Sequence, residues 1–524
     1  MNSKSEMVSD GNLSLDHAAG TRVEIGGYFG TIRYVGSLEG QTGVWYGIEW
    51  DDPDRGKHGG SVNGIQYFRT GHPQSGSFVR KEKINFGKSL IEAIVTRYGG
   101  QESDISKRIK AQQIVSLQKS IKAPFIEFVG FDKVSTKQSN FESLTVVSAR
   151  LQSVSSIGES YELGTLCPNI REIDLSKNLL TSWGDIFNIC AQLRHLYWIN
   201  VSENILTFPN ICNNIFPNIA VFICGHMYLT WNDIKALSKI FPNISELRAP
   251  SNNINDLSTP EDNNFKNLEI LDLEGNKIPR WSEVVKLSAV ESLQQLSLSE
   301  IGLEAIDFES ETISYFKNLR KLCISNNNIP DWKSVSELNK IPNLEEIKFL
   351  NNPVLSNKNP ISCEQEIIAR IKTLKICNGR RITPDDRRGA EYDYQKKYGL
   401  EWLKVKNTPE RNRFLLEHNR YLELIESYGE LQVSELKDGH HSKNALITLT
   451  FKFEDQTIAK KVSPTMQVQK LKILVQKIFK LPERPHLIIA DKDDNIEICL
   501  EEDIKEIDYY SVQDGDLIIV KLSN

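Results

Sequence analysis

Residues 56–68 read Gly56-Lys57-His58-Gly59-Gly60-Ser61-Val62-Asn63-Gly64-Ile65-Gln66-Tyr67-Phe68. Such a density of glycine beside a lysine, a histidine and an aromatic pair describes a loop and not a core. Glycine permits sharp turns and lets a ligand approach the backbone closely. The flanks add Tyr28, Phe29, Trp45, Tyr46, Trp50 and Phe78, with Arg80 and Lys81 behind them. These residue types suit recognition of a peptide with an apolar or aromatic end in an anionic neighbourhood. Trp45, Phe68 and Phe78 are the expected apolar surface, and Lys57 and Arg80 the expected charge. His58, Gly59 and Gly60 complete the groove. Phe68 and Phe78 also fit the core of a small domain.

Bond-making chemistry has no comparable foothold. The chain contains no Walker loop, dinucleotide fingerprint, His-Glu-x-x-His, Cys-x-x-Cys or nucleophile elbow. Its histidines do not cluster with carboxylates at ligand spacing. Gly26-Gly27-x-x-Gly30 lacks the Lys-Ser/Thr pair and the following helix of a phosphate loop. Asp51-Asp52-x-Asp54 and Asp491-Lys492-Asp493-Asp494-Asn495 lack the spacing of a calcium loop and read as turns. No catalytic residue, metal or cofactor is expected.

The elements that must position the groove are short strands. Arg22-Val23-Glu24-Ile25 and Gly30-Thr31-Ile32-Arg33-Tyr34-Val35 alternate apolar and polar between glycine turns. They predict a small antiparallel β domain over 15–90. Within it, Gly56 to Val62 resembles the GKNDGSV signature of CAP-Gly domains. Gly43-Val44-Trp45-Tyr46-Gly47-Ile48-Glu49-Trp50, Tyr67-Phe68 and Gly76-Ser77-Phe78-Val79-Arg80 extend the match. The resemblance implies binding of acidic-aromatic C-terminal tails, such as that of alpha-tubulin. His58 and Gly59 depart from the signature. An aspartate can hydrogen-bond its own loop and a glycine cannot, so Gly59 predicts a looser loop.

From about residue 144 the chain becomes periodic. Apolar residues and an asparagine recur in Ile170-Ile173-Leu175-Asn178-Leu180, Leu268-Leu271-Leu273-Asn276-Ile278, Leu319-Leu322-Ile324-Asn327-Ile329 and Leu344-Ile347-Phe349-Asn352-Val354. Weaker copies start at Leu193, Ile219, Ile244 and Leu293, and Leu144-Val147-Ala149 reads as a divergent first unit. The pattern resembles leucine-rich repeats. In such a unit the asparagine satisfies backbone groups inside the turn. Trp183, Trp231, Trp281 and Trp332 recur as packing for the convex layer. The outward residues of the concave sheet are the candidate partner surface. They are expected to include His195, Tyr197, Ile199, Ile223, Arg248, Asp272, Glu274, Lys321 and Lys348.

Residues 91–140 are expected to be linker and solenoid cap. The repeats with their C-terminal cap span 141–380, including a helix over Cys363 to Ile376. A charged, helical linker follows at 381–440. In 441–524, strands at 445–451, 457–462, 487–489 and 516–520 surround a helix at 468–480. This β-β-α-β-β order resembles a ubiquitin-like β-grasp domain. Its Lys-Leu-Ser-Asn ending lacks the Gly-Gly that conjugation requires. The fold class is therefore multidomain α+β: a small antiparallel β CAP-Gly domain, a leucine-rich-repeat solenoid and a C-terminal ubiquitin-like β-grasp domain.

Composition agrees with a multidomain binding protein. A chain of 524 residues exceeds one ordinary core. A net charge of −6 argues against nucleic acid, which needs a concentrated basic surface. The eight cysteines have no close pairing and read as reduced. The opening Met-Asn-Ser-Lys-Ser-Glu predicts no signal peptide. No apolar run reaches the roughly 18 residues of a membrane span. The order of the three modules resembles the tubulin-folding cofactor E family. That resemblance implies a cytoplasmic, cytoskeleton-associated chaperone that binds alpha-tubulin. It also implies work with cofactors B, C and D, and contact with beta-tubulin indirectly through cofactor D, in assembling and dismantling the heterodimer. The alternative is a CAP-Gly adaptor that decorates microtubules without chaperone activity.

Overall fold

The computed structural model describes residues 19–99, 141–158, 162–208, 214–261, 264–309, 315–437, 446–490, 497–510, 512 and 514–522. Most of the linker expected at 91–140 and the turn expected at 491–495 lie outside these residues. The chain forms two compact units, Met1–Ala390 with Leu416–Arg420, and Glu391–Leu415 with Tyr421–Asn524. No helix among the described residues is long and apolar enough to cross a membrane.

The first unit opens with an antiparallel sheet of Arg22–Ile25, Tyr28–Ser37, Val44–Trp50 and Gly76–Val79, in that order. Val23, Ile32, Tyr46, Ile48, Trp50 and Ile84 are buried together beneath it. Gly26 and Gly27, at φ +62° and +86°, make the hairpin turn between the first two strands. Asp51 pairs with the buried Arg22, and Asp52 Oδ1 accepts from the Asp54 backbone N–H at 3.1 Å.

This sheet joins the solenoid directly. Lys88–Ser89 pairs in parallel with Val154–Ser156. Ser89 then caps helix Leu90–Tyr98, its side chain accepting from Glu92 N. Leu90, Ala93, Ile94 and Tyr98 are buried in the same core as the first repeats. Tyr98 Oη also accepts from Ser148 N at 2.8 Å.

The solenoid is an eleven-stranded sheet, parallel from Val146–Ser148 to Ile376–Cys377 and closed by antiparallel Arg380–Arg381. Along the repeats each three-residue strand buries its middle side chain: Ile173, Ile199, Phe222, Leu247, Leu271, Leu296, Leu322 and Ile347. The asparagines explain the repeat. Asn276 Nδ2 donates to Ala249 O (3.0 Å) and Leu273 O (2.9 Å), while its Oδ1 accepts from Asn252 N (3.0 Å) and Ile254 N (3.2 Å). Asn178 and Asn252 repeat this pattern. Met227 and Ile301 stand at the asparagine position of their units. Their backbone N–H groups are taken by Asn252 and Asn327 of the next unit.

Two boundaries differ from the sequence reading. The unit assigned to Leu193 begins at Leu196, because Ile173 pairs with Ile199 and Asp174 with Asn200. Its frame is Leu196-Ile199-Val201-Asn204. The capping helix is Pro360–Arg370, started by an Asn359 cap and proline in its first turn. Trp183, Trp231, Trp281 and Trp332 each open a convex helix. Trp183 lies stacked among Phe187, Phe208 and Phe222.

Helix Pro384–Val405 carries the chain into the second unit. There Trp402 packs on Phe414 and Tyr421, and Tyr421 Oη donates to Gln395 O at 3.0 Å. The C-terminal sheet runs Gln456–Val462, Ile447–Phe453, Leu517–Lys521, His486–Ala490, Glu497–Cys499, with Ile447–Phe453 and Leu517–Lys521 parallel. Helix Val468–Phe479 buries Val468, Leu471 and Val475 against it. This is the β-grasp arrangement. Strand Glu497–Cys499 was absent from the sequence reading because three residues are too short to show alternation.

Candidate binding surfaces

Phe78 is the centre of the glycine-loop site. Its ring centroid lies 5.2 Å from His58, 5.3 Å from Phe68, 5.5 Å from Tyr67 and 6.1 Å from Tyr34. Phe78 pairs across the sheet with Gly47, whose missing side chain leaves room for Phe68. Phe68 is buried and forms the floor, while Phe78 is half-buried. Tyr34 and Tyr67 belong to the cluster although neither is among the groove residues expected from the sequence. Strand alternation gives Tyr34 no distinguishing mark, and only the fold brings it to Tyr67.

The loop is pinned, which corrects the expectation drawn from Gly59. His58 Nδ1 accepts from Gly60 N at 3.1 Å, and Gln66 Nε2 donates to Gly59 O at 3.0 Å. Tyr67 N donates to Gly60 O at 3.0 Å, and Gly76 N to His58 O at 2.8 Å. Gly60, at φ +95°, has no room for a side chain beside the Phe68 carbonyl. Gly59 is different: a Cβ there would lie 3.4 Å from Pro73 O. Burial, reinforced by the neighbouring Lys57 charge, holds the His58 imidazole below its ordinary pKa. Neutral His58 is the form that can accept from Gly60.

The two expected cations differ in position. Lys57 is exposed and has no ion-pair partner among the described residues. The Arg80 guanidinium lies 3.8 Å over the Trp45 ring and donates to Val44 O (3.1 Å) and Thr42 O (2.5 Å). Arg80 and Trp45 therefore form a buttressed pair beside the sheet. Trp45 has no ring contact with the Phe78 cluster among the described residues.

On the solenoid, the side chains flanking each buried strand centre face the concave side. Ile223, Arg248, Asp272, Lys321 and Lys348 occupy such positions. Ile199 does not. It is fully buried, and its neighbours Trp198 and Asn200 face outward. A frame begun at Leu193 points Ile199 outward, since a shift by an odd number of residues, here three, exchanges the two faces of a strand. Tyr197 and His195 are exposed just before the strand. Tyr197 donates its hydroxyl to Glu172, which raises the tyrosine pKa. Arg248 pairs with Glu246 at 2.5 Å, and Lys321 with Glu346 at 2.9 Å. Burial pushes the Asp272 pKa up. Asp272 Oδ1 accepts from Glu274 N at 3.0 Å, which places Glu274 in the turn beyond the strand. Among the described residues, no group of three or more His, Cys, Asp or Glu side chains could hold a metal ion.

An aromatic cluster beside a glycine loop, a concave repeat sheet and a β-grasp domain define a multidomain binding protein. The CAP-Gly domain family model matches residues 19–84. Tubulin-specific chaperone E of Bos taurus is 36% identical over 97% of this chain and 99% of its own length. The Homo sapiens protein of that name is 36% identical over 96% and 98%. The Drosophila melanogaster one is 32% identical over 97% and 99%. The solved C-terminal ubiquitin-like domain of mouse tubulin-specific chaperone E is 30% identical, covering 16% of this chain and 95% of that one at a TM-score of 0.15. The chain belongs to the tubulin-specific chaperone E family.

Proposed function

We infer that this chain is a tubulin-folding chaperone, that it acts by binding and not as an enzyme, and that alpha-tubulin is its principal client. The 36% identity to the chaperone relatives over nearly the full length of both chains carries the chaperone reading over the microtubule-adaptor alternative. Alpha-tubulin would place its acidic-aromatic tail against Phe78, with Lys57 supplying charge at the rim. The aromatic cluster around Phe78 supports this use of the groove. His58, Gly59, Gly60 and Phe68 would shape that groove, and the Trp45–Arg80 pair would flank it.

The concave face would contact the folded body of tubulin. Its candidate residues are His195, Tyr197, Ile223, Arg248, Asp272, Glu274, Lys321 and Lys348. Cofactors B, C and D would join in the cytoplasm, with beta-tubulin arriving through cofactor D. Size-exclusion chromatography of the purified chain with tubulin tests the reading. A chaperone yields a complex containing alpha-tubulin, or free subunits. Intact soluble heterodimer that elutes apart from the chain contradicts it.

A further inference from the structure

Trp198 stands apart from the other described tryptophans of the solenoid. Trp183, Trp231 and Trp281 are buried in the convex layer, and Trp332 packs against the same core. Trp198 is half-buried on the concave sheet. Among the described residues its ring makes no aromatic or cation contact, and its indole N–H has no acceptor. A partly exposed tryptophan on a concave sheet, with its indole N–H free, is the kind of residue that anchors a partner.

Its surroundings narrow the partner. Across the parallel ladder Trp198 pairs with Glu172 on one side and Val221 on the other. Neighbouring strands lie about 4.8 Å apart, so Glu172, Trp198 and Val221 form one continuous row. Glu172 accepts only from Tyr197 and has no cation partner among the described residues. Asp174 lies one position further along the same strand face, and Ile223 beside Asn200. The next strand, Glu246–Arg248, is neutralised within itself by the Glu246–Arg248 pair. The row therefore offers an aromatic face beside an unneutralised carboxylate, then an aliphatic step.

We propose that Trp198 and Glu172 together receive a lysine or arginine side chain of the client polypeptide, with Val221 and Ile223 taking an apolar residue next to it. The aromatic face attracts the cation through its quadrupole, and the carboxylate pairs with it in a partly desolvated site. The inference rests on the reading that tubulin binds the concave face.

The test measures tubulin affinity of the full chain by fluorescence anisotropy for wild type, Trp198→Ala, Trp198→Phe, Glu172→Gln and the Trp198→Ala/Glu172→Gln double variant. Each single loss is expected to weaken binding about tenfold, with Trp198→Phe closer to wild type. The double variant should lose less than the product of the two, because both groups act on one cation. Thermal melts should show a folded chain in every variant, and Glu172→Gln and Trp198→Phe should melt close to wild type, since neither Glu172 nor Trp198 is among the fully buried residues of the core. Wild-type affinity in both single variants overturns the proposal while leaving the tubulin reading intact. Absence of wild-type binding overturns the reading itself.

Discussion

The Phe68 ring occupies the space that a side chain on residue 47 would need: a Cβ on Gly47 would lie 2.7 Å from Phe68 Cδ1. Phe68 in turn supports Phe78, so the shape of the groove is set from below by a missing side chain. Gly47→Ala should push Phe68 upward and disturb the Phe78 cluster. Overpacking of this kind costs about 1–3 kcal/mol. Denaturant melts of the variant should show that loss, and titration with a peptide ending Glu-Glu-Tyr should show weaker binding. Unchanged values in both would remove Gly47 from the support of the groove.

Lys57 and Arg80 should respond differently to truncation. Lys57→Ala removes an exposed charge, so it should weaken the same peptide several-fold, mostly at low salt, and leave the melt unchanged. Arg80→Ala removes the contact with Trp45 and two backbone hydrogen bonds, so it should lower both affinity and melting temperature. Calorimetric titration at two salt concentrations, paired with thermal melts, separates the two cases.

The loop should carry a pH dependence through His58. Its folded pKa is depressed, so the neutral form is the one the fold favours. The stability it contributes is fully present above the unfolded histidine pKa of about 6.5 and is lost as pH falls through the lower folded value. Peptide affinity should therefore drop on acidification below that point. His58→Asn keeps an acceptor for Gly60 N and should flatten the profile. A profile identical in the variant would assign the dependence to another group.

Restoring the signature aspartate should change little. Gln66, Tyr67 and His58 already hold the loop, and a Cβ on residue 59 meets no hard contact. Gly59→Asp is expected to shift peptide affinity less than threefold. Gln66→Ala should loosen the loop and weaken binding more. A large gain in the aspartate variant would mean that these contacts do not fix the loop.

The asparagine ladder should dominate solenoid stability. Asn276→Ala strands the buried N–H groups of Asn252 and Ile254 and the carbonyls of Ala249 and Leu273. Each unsatisfied buried group costs about 1–3 kcal/mol, so denaturant melts should show a loss of several kcal/mol. A loss below about 1 kcal/mol would mean that water replaces the amide.

The sequence by itself determined the three modules. Glycines beside aromatics, asparagines at a fixed offset from leucines and a strand-helix-strand ending are local patterns, and each follows from backbone needs that neighbours in sequence can satisfy. The glycine loop and its Phe68–Phe78 pair were legible for the same reason. The tertiary structure decided the faces. Ile199 reads as outward from a frame begun at Leu193, and only its pairing with Ile173 turns it inward and brings Trp198 to the surface. Arg80 reads as a free cation until Trp45 and two carbonyls are seen to hold it. Gly59 reads as a weak point until Gln66, seven residues on, is found bonded to its carbonyl. In each case the deciding partner lies across a turn or on another strand. A period-two element carries no local mark of its own register, so the choice of face is made when the strands pair.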